Sequence, residues 1–220
     1  MVDAFVSIVE HQRRVLARHD AIGAACEEAH RALLRGDADP TSAAALQDKV
    51  LAVIGGNRIG QLLDWHATGV LAGERLRALL AAWWVMGESH SQFGTDRLVR
   101  LFRAAGFVTD TDGVGPPAAE LAVYRGAHPR GNRQRISRRL SWTLDRDKAV
   151  WFAARTVLFY GSHGVLLAAD APPRHVLGIF HGRQEAEVVV NPRGLRNVRE
   201  LERVDAPAPS PAPAGAEHRP

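Results

Sequence analysis

Apolar residues in the first hundred positions recur at intervals of three, four and seven, the spacing of one face of an α-helix. The interval of seven is clearest in Ile8, Val15, Ile22 and Ala29, before a stop at Gly36. Four more segments with cap or glycine signals follow: Pro40 through Leu46, Val50, Val53 and Ile54 to Gly55; Asn57 through Ile59, Leu62, Leu63 and Trp65; Leu76 through Leu79, Leu80, Trp83, Trp84 and Met86 to Gly87; and Thr95 through Leu98, Leu101 and Phe102 to Gly106. The spacing predicts a helical region over residues 1–106, with its tryptophans and leucines packed inside.

The pattern changes after residue 106. Residues 107–119 contain the segment TDTDGVGPP and are predicted to be a turn-rich linker. Short apolar runs typical of strands follow at Leu121–Tyr124, Gly164–Ala169, His175–Phe180, Glu185–Val190 and Val198–Val204. A helix is predicted over Ala149–Arg155, capped by Asp145 or Thr143. Strands around one helix predict a compact α+β domain over residues 120–204.

Residues 205–220 differ in composition from the rest of the chain. They hold five of the twelve prolines and no large apolar side chain. Such a segment cannot bury a core of its own, and we predict a disordered or extended tail.

The overall composition is that of a globular protein, with 46% hydrophobic and 24% charged residues in 220. No stretch approaches the ~20 uncharged apolar residues of a membrane span. The first twenty residues carry charges throughout, unlike a secretory signal. A single cysteine, Cys26, excludes an internal disulfide framework. We therefore expect a cytoplasmic protein without a membrane partner.

The net charge is +4, and subtracting Lys49 and Lys148 from the 28 basic residues leaves 26 arginines. This excess of arginine is typical of a GC-rich genome, so single arginines carry little information. Five of them crowd one stretch, namely Arg130, Arg133, Arg135, Arg138 and Arg139. They form either a solvated basic loop or a binding surface for phosphate groups, including those of a nucleic acid. The ten histidines show no HExxH spacing, and no metal site is expected.

Two segments of the second half carry groups suited to a phosphate-bearing ligand. Arg125 follows Tyr124, and an arginine fork of donors matches phosphate oxygens. Gly126 comes next and would let a planar ligand approach the main chain. Ser141 and Thr143 are two apart before the predicted helix, so their hydroxyls lie on one side of a strand.

Two further segments add aromatic rings and carboxylates. Trp151 and Phe152 on the predicted helix offer a surface on which a ring can stack. Glu185 and Glu187 are two apart, and strand periodicity would place both carboxylates on one face. One carboxylate can stabilise positive charge developing on a sugar carbon, while the other orients or deprotonates an acceptor. Alternatively, the two glutamates would have no catalytic role and would form the charged, solvent-exposed face of an edge strand.

In this order, YRG, SWTLDRDKAVWFA and EAEVVVNPRGLRNVRELERV resemble the Arg-Ser-Glu class of mono-ADP-ribosyltransferases, especially compact phage and bacterial members. The resemblance covers about residues 120–204 and implies a split β-sandwich. Trp142 stands where the family motif has a small residue. The resemblance also implies an enzyme that uses NAD as its substrate and no metal.

The resemblance assigns a role to each motif residue. Arg125 would hold the NAD phosphates, and the Gly126 backbone would meet the nicotinamide amide. Ser141 and Thr143 would support the pocket and the catalytic glutamate. Glu187 would contact the nicotinamide ribose and stabilise an oxocarbenium-like transition state. Glu185 would be the upstream residue that is associated with arginine acceptors. Trp151 or Phe152 would lie beside the nicotinamide.

The resemblance leaves the biological setting open. It implies a transferase that modifies a macromolecular acceptor, protein or nucleic acid, as an intracellular toxin, phage effector or defence component. The alternatives are an NAD glycohydrolase and a non-catalytic binding or phage-assembly module that keeps the fold. The helical first half lies outside the resemblance. For the helical region, gating of the site, binding of a neutralising protein partner and oligomerisation all stay open.

Overall fold

The computed structural model describes residues 58–85, 90–128, 138–161, 163–182 and 185–205, together with single positions between 17 and 35. Those single positions, which are all helical, are Ala17, Asp20, Ala21, Ala24, Glu28, Arg31, Ala32 and Arg35. The helix predicted after Pro40 and the tail predicted after Asp205 lie outside the described residues, as do Cys26 and three arginines of the basic stretch, Arg130, Arg133 and Arg135.

From residue 58 onward, the described residues form a mixed α/β structure of four helices and seven strands, in agreement with the predicted α+β class at that level. In chain order these are α1 (Arg58–Ala67), α2 (Gly73–Trp84), α3 (Thr95–Ala105), β1 (Val108–Thr109), β2 (Leu121–Ala127), β3 (Ser141–Thr143), α4 (Arg146–Tyr160), β4 (Gly164–Ala171), β5 (Val176–Phe180), β6 (Glu187–Val190) and β7 (Arg196–Val204). Short 3-10 turns span His90–Phe93, Pro173–His175 and Pro192–Gly194. Within the part of the chain that the structure describes, no helix is long and apolar enough to cross a membrane.

The chain divides into two compact units. The first contains Met1–Pro116 and Val176–Gln184, and the second contains Pro117–His175 and Glu185–Pro220. The first unit is therefore discontinuous in sequence, because β5 belongs to it. In this unit β1 pairs in parallel with β5, with Val108 opposite Gly178 and Thr109 opposite Ile179.

An aromatic cluster forms much of the core of the first unit. Its rings, all buried, are Trp65, Trp83, Trp84, Phe102 and Phe180. Trp84 packs edge-on against Phe102 with ring centroids 4.8 Å apart and stacks on Phe180 at 6.3 Å. Such contacts stabilise a fold beyond the area they bury. The tryptophans of α2 are thus core residues, as the periodicity predicted.

The described residues of the second unit form an antiparallel sheet on which helix α4 packs. Its strand order is β6-β3-β2-β4-β7. Helix α4 contacts β2 and β4 through a buried face formed by Ala149, Ala153 and Val157. Asp145 is its N-cap, because its side chain accepts from the Lys148 N–H at 3.0 Å.

Glycine permits the close approach of α4 to the sheet. A Cβ at Gly126 of β2 would overlap the carbonyl oxygen of Ala149 and the backbone nitrogen of Ala153. A Cβ at Gly164 of β4 would likewise meet the backbone of Ala153. The two glycines and the small side chains facing them allow backbone to pack on backbone.

Several elements differ in extent from their predictions. Helix α4 begins at Arg146 and ends at Tyr160, beyond both ends of the predicted Ala149–Arg155. Strand β1 falls in the segment predicted as a linker, because two residues are too few to show any periodicity. The strand predicted from Glu185 begins only at Glu187.

Candidate active site

Three neighbouring strands of the second unit bring the sequence motifs together. Arg125 lies on β2, Ser141 and Thr143 form the ends of β3, and Glu187 begins β6. In the register, Thr143 pairs with Tyr124 on one side and with Glu187 on the other. Directly opposed residues share a face, so Tyr124, Thr143 and Glu187 form one cross-strand row, whereas the Arg125 side chain leaves β2 on the opposite face.

The Arg125 side chain links β2 to β3 at a point where the two strands are not paired. Within these described strands, register pairing is limited to Tyr124 and Thr143. Beyond that pair, Nη1 of Arg125 donates to the carbonyl oxygen of Ser141. The Nε atom of Arg125 is buried and has no hydrogen-bond partner among the described residues. A buried N–H donor of this kind suits an incoming acceptor oxygen.

The electrostatics around Arg125 favour an anion. The pKa of the Arg125 guanidinium is lowered to about 10, mainly by burial and also by the positive charge of Arg139, while the negative charge of Glu187 opposes both effects. Arg125 therefore remains protonated at neutral pH, close enough to Glu187 for the two charges to interact. Two guanidinium groups against one carboxylate leave an excess of positive charge, as a diphosphate requires.

Thr143 links three parts of the site through one buried hydroxyl. Its Oγ1 donates to the carbonyl oxygen of Glu185 and accepts from the backbone N–H of Asp145 at 3.0 Å. The hydroxyl thereby ties the end of β3 to the N-cap of α4 and to the residues preceding Glu187. These two hydrogen bonds hold the backbone of Glu185 and Asp145 against the end of β3.

The two glutamates are not arranged as the sequence predicted. The prediction that both carboxylates project from one face of a strand is wrong, because Glu185 precedes β6. Ala186 between them has φ 42°, in the left-handed region that a residue with a Cβ rarely adopts. Its carbonyl oxygen accepts from the Leu144 N–H at 3.0 Å. The structure places Glu187 at the strand and Glu185 in the bend before it.

The two rings of the predicted aromatic pair are in contact, with centroids 5.1 Å apart, but the residues differ in their surroundings. The Cβ of Phe152 lies 3.0 Å from the position that a Cβ on Gly126 would take, so Phe152 is beside the arginine strand. Trp151 is 51% exposed and lies away from the buried Ala149 and Ala153. Of the two candidates to line a ligand ring beside Gly126, the geometry favours Phe152.

Gly126 and Trp142 have explanations in packing. The glycine was predicted to let a ligand approach, and the structure shows that the contact with α4 already requires it. Trp142 alternates with Ser141 and Thr143, so its side chain projects from the other face of β3. It is 2% exposed, and its Nε1 donates to the Arg139 carbonyl at 3.1 Å. This tryptophan therefore does not cover the face that carries the two hydroxyls.

Sequence reasoning missed Arg139 and Ala186 as parts of this site. Arg139 was visible only as one member of a basic run, and nothing in its spacing distinguished it. No sequence signal indicates left-handed backbone at an alanine. Among the described residues, no cluster of three or more His, Cys, Asp or Glu side chains could hold a metal ion.

A scan against protein-family models and searches of the curated proteins and of the solved structures each found no significant match to this chain. The functional proposal therefore depends on the residues and contacts described above.

Proposed function

We propose that the second unit is a mono-ADP-ribosyltransferase that uses NAD as its substrate. The observation that carries the proposal is the placement of the arginine, serine/threonine and glutamate motifs on three adjacent strands. Arg125 donates a hydrogen bond to the backbone carbonyl oxygen of Ser141, and its charge interacts with that of Glu187. The motif resemblance and the strand order support one another, because they derive from different features of the chain.

In this proposal the pyrophosphate binds at Arg125. The unpartnered Nε and the nearby charge of Arg139 supply the donor and the positive potential that a diphosphate needs. The nicotinamide ring lies beside Phe152, and its amide contacts the Gly126 backbone on the side that faces β3. Ser141 and Thr143 support the face that carries Glu187.

The chemistry we propose is dissociative. The bond between the ribose anomeric carbon and the nicotinamide nitrogen breaks, and its electron pair neutralises the positively charged ring, so no general acid is needed. Glu187 stabilises the positive charge that develops on the ribose. The acceptor then attacks the anomeric carbon and gives up its proton to Glu185 or to water. A well-placed electrostatic group of this kind contributes ~2.7–4 kcal/mol.

The test is nicotinamide release by the full chain incubated with labelled NAD. We expect Glu187→Gln to reduce turnover by about 10²- to 10³-fold while NAD affinity stays within a few-fold, because the lost charge acts mainly in the transition state. Glu200→Gln is the matched control, since Glu200 is an exposed residue of β7. The proposal is wrong if Glu187→Gln releases nicotinamide at the wild-type rate.

Separating the label into free, protein-bound and nucleic-acid-bound fractions identifies the acceptor. Label on protein or nucleic acid supports the transferase, and free ADP-ribose alone supports the alternative of an NAD glycohydrolase. NAD binding without any nicotinamide release would favour the non-catalytic binding module.

A further inference from the structure

The outward face of α4 is unusually apolar for a helix on the outside of a unit. Three large apolar side chains are exposed on it, namely Trp151 at 51%, Leu158 at 67% and Phe159 at 69%. A solvent-facing helix surface normally carries polar residues. These positions lie opposite Ala149, Ala153 and Val157, which face the sheet, so the apolar residues outside are not an extension of the core.

Two cations complete this surface. The guanidinium carbon of Arg155 is 5.3 Å from the ring centroid of Trp151 and 5.7 Å from that of Phe159. The Nζ of Lys148 is 5.8 Å from the Trp151 centroid. We call this set the α4 outer stripe; its members are Lys148, Trp151, Arg155, Leu158 and Phe159. It spans about three helical turns, or ~16 Å.

We propose that the α4 outer stripe docks an acidic amphipathic helix of another protein. Its apolar residues recur at helical spacing, which matches the ridge of a partner helix. Lys148 and Arg155 lie within the apolar surface and would pair with carboxylates flanking the partner's apolar residues. Contiguous exposed apolar area rimmed by charge marks such interaction sites.

The charges argue against a second copy of this chain as the occupant. Two stripes facing each other would bring together two copies of Lys148 and two of Arg155. The acidic residue nearest the stripe on α4 is Asp147, one turn before Trp151, and it supplies only one opposing charge per copy. The Arg146 side chain is already paired with Glu202 at 3.0 Å. A dimer formed by two α4 outer stripes would therefore bury positive charge that no carboxylate compensates.

The stripe is also poorly suited to nucleic acid. Bases stack on open faces of aromatic rings. Here Arg155 already lies over Trp151 and Phe159, and Leu158 adds aliphatic surface that bases do not use. The proposed docking surface does not depend on the proposed chemistry, since binding is measured without NAD.

The test begins with selection of binders to the full chain from a phage-displayed library of 16-residue peptides. We expect enriched sequences to combine large apolar residues at helical spacing with Asp and Glu, and to bind more weakly at high salt. The enriched peptide and a version with Lys in place of its acids are then titrated by fluorescence anisotropy. The lysine version should bind at least tenfold more weakly.

Variants of exposed residues locate the contact. Arg155→Glu and Phe159→Ser should each weaken the acidic peptide by tenfold or more, and Arg155→Glu should improve binding of the lysine version. Leu201→Ser is the matched control, because Leu201 is a 41% exposed apolar residue on β7, outside the stripe. Circular dichroism confirms that the variants are folded.

Four results would overturn the proposal. These are a selection that yields no binder or no acidic bias, binding that survives Arg155→Glu, a dimer in sedimentation that Phe159→Ser dissociates, and single-stranded RNA binding that Arg155→Glu abolishes. The last two would assign the stripe to a second copy and to nucleic acid.

Discussion

Arg125 carries a positive charge that the folded state holds out of water. Its pKa in the folded state is lowered to about 10, chiefly by burial, so above about pH 10 the unfolded chain binds more protons than the folded chain. The penalty for burying the charge is therefore present in full at neutral pH and is relieved as the pH rises above about 10. A bound anion would offset this penalty, and the folded state would gain stability from it.

We expect ADP-ribose to raise the melting temperature of the protein through this residue. At a hundredfold excess over its Kd, a ligand stabilises the folded state by about 2.7 kcal/mol. Binding should be nearly constant from pH 6 to 9 and should fall as the pH passes about 10, where Arg125 loses its proton. Arg125→Lys should weaken binding, since an ammonium lacks the guanidinium fork. A thermal shift unchanged by Arg125→Lys would contradict this role.

Ala186 holds left-handed backbone immediately before Glu187. This conformation costs an alanine about 1–2 kcal/mol and a glycine far less. We expect Ala186→Gly to raise the free energy of unfolding by up to about 1 kcal/mol, measured by urea denaturation. Ala122→Gly is the control: Ala122 lies exposed in β2, where glycine should cost about 0.5–1 kcal/mol. Equal losses in both variants would show that Ala186 stores no strain.

At the scale of elements, the packing of α4 on β2 determines where the arginine strand lies. Gly126 follows Arg125 directly, and the helix contacts it through backbone atoms of Ala149 and Ala153. A shift of the helix would displace β2, and with it the guanidinium. The position of Arg125 therefore depends on an element whose residues do not bind it.

Substituting this glycine should destabilise the protein. Gly126→Ala would force α4 or β2 to move, and overpacking of this kind typically costs 1–3 kcal/mol. Gly115→Ala is the control, because a Cβ at Gly115 meets no atom within 4 Å. Thermal melts of both variants give the comparison. Equal melting temperatures would mean that the helix tolerates the extra methyl group.

The sequence predicted the existence of these elements, and whether each is a helix or a strand, better than it predicted where they end or which residues share a face. Leu121, Ala149 and Gly164 each lie in an element of the predicted type, because apolar periodicity reports burial directly. The alternation of Glu185 and Glu187 failed, because a strand rule was extended over a residue that leaves strand geometry. The electrostatic effect of Arg139 on Arg125 depends on which segments lie close together in the fold, and periodicity does not encode that.

At the scale of the whole molecule, the chain builds its first unit from two separate stretches. Strand β5 is buried along its whole length, and its Phe180 packs on Trp84 and Phe102. At the end of this strand, the Asp110 carboxylate accepts from the backbone N–H groups of His181 and Gly182 at 2.8 and 2.6 Å. Residues 178–182 are thus held by residues far earlier in the chain.

A fragment of residues 117–220 should therefore fold poorly. It keeps β5 but lacks β1, α2 and α3, so this buried strand loses its pairing with β1 and the contacts of Phe180 with Trp84 and Phe102. We expect low solubility and no cooperative thermal transition by circular dichroism. Replacing Ile179 and Phe180 of the fragment with serine should improve its solubility. A sharp transition in the unmodified fragment would show that the second unit folds without them.

The contact at Gly126 also affects how a saturation library of this protein should be interpreted. Selection for abundance alone would retain glycine at position 126, just as selection for the proposed enzyme turnover would. Depletion of other amino acids there is therefore no marker of catalysis. Only positions such as 187, where abundance and turnover should diverge, can report on the chemistry.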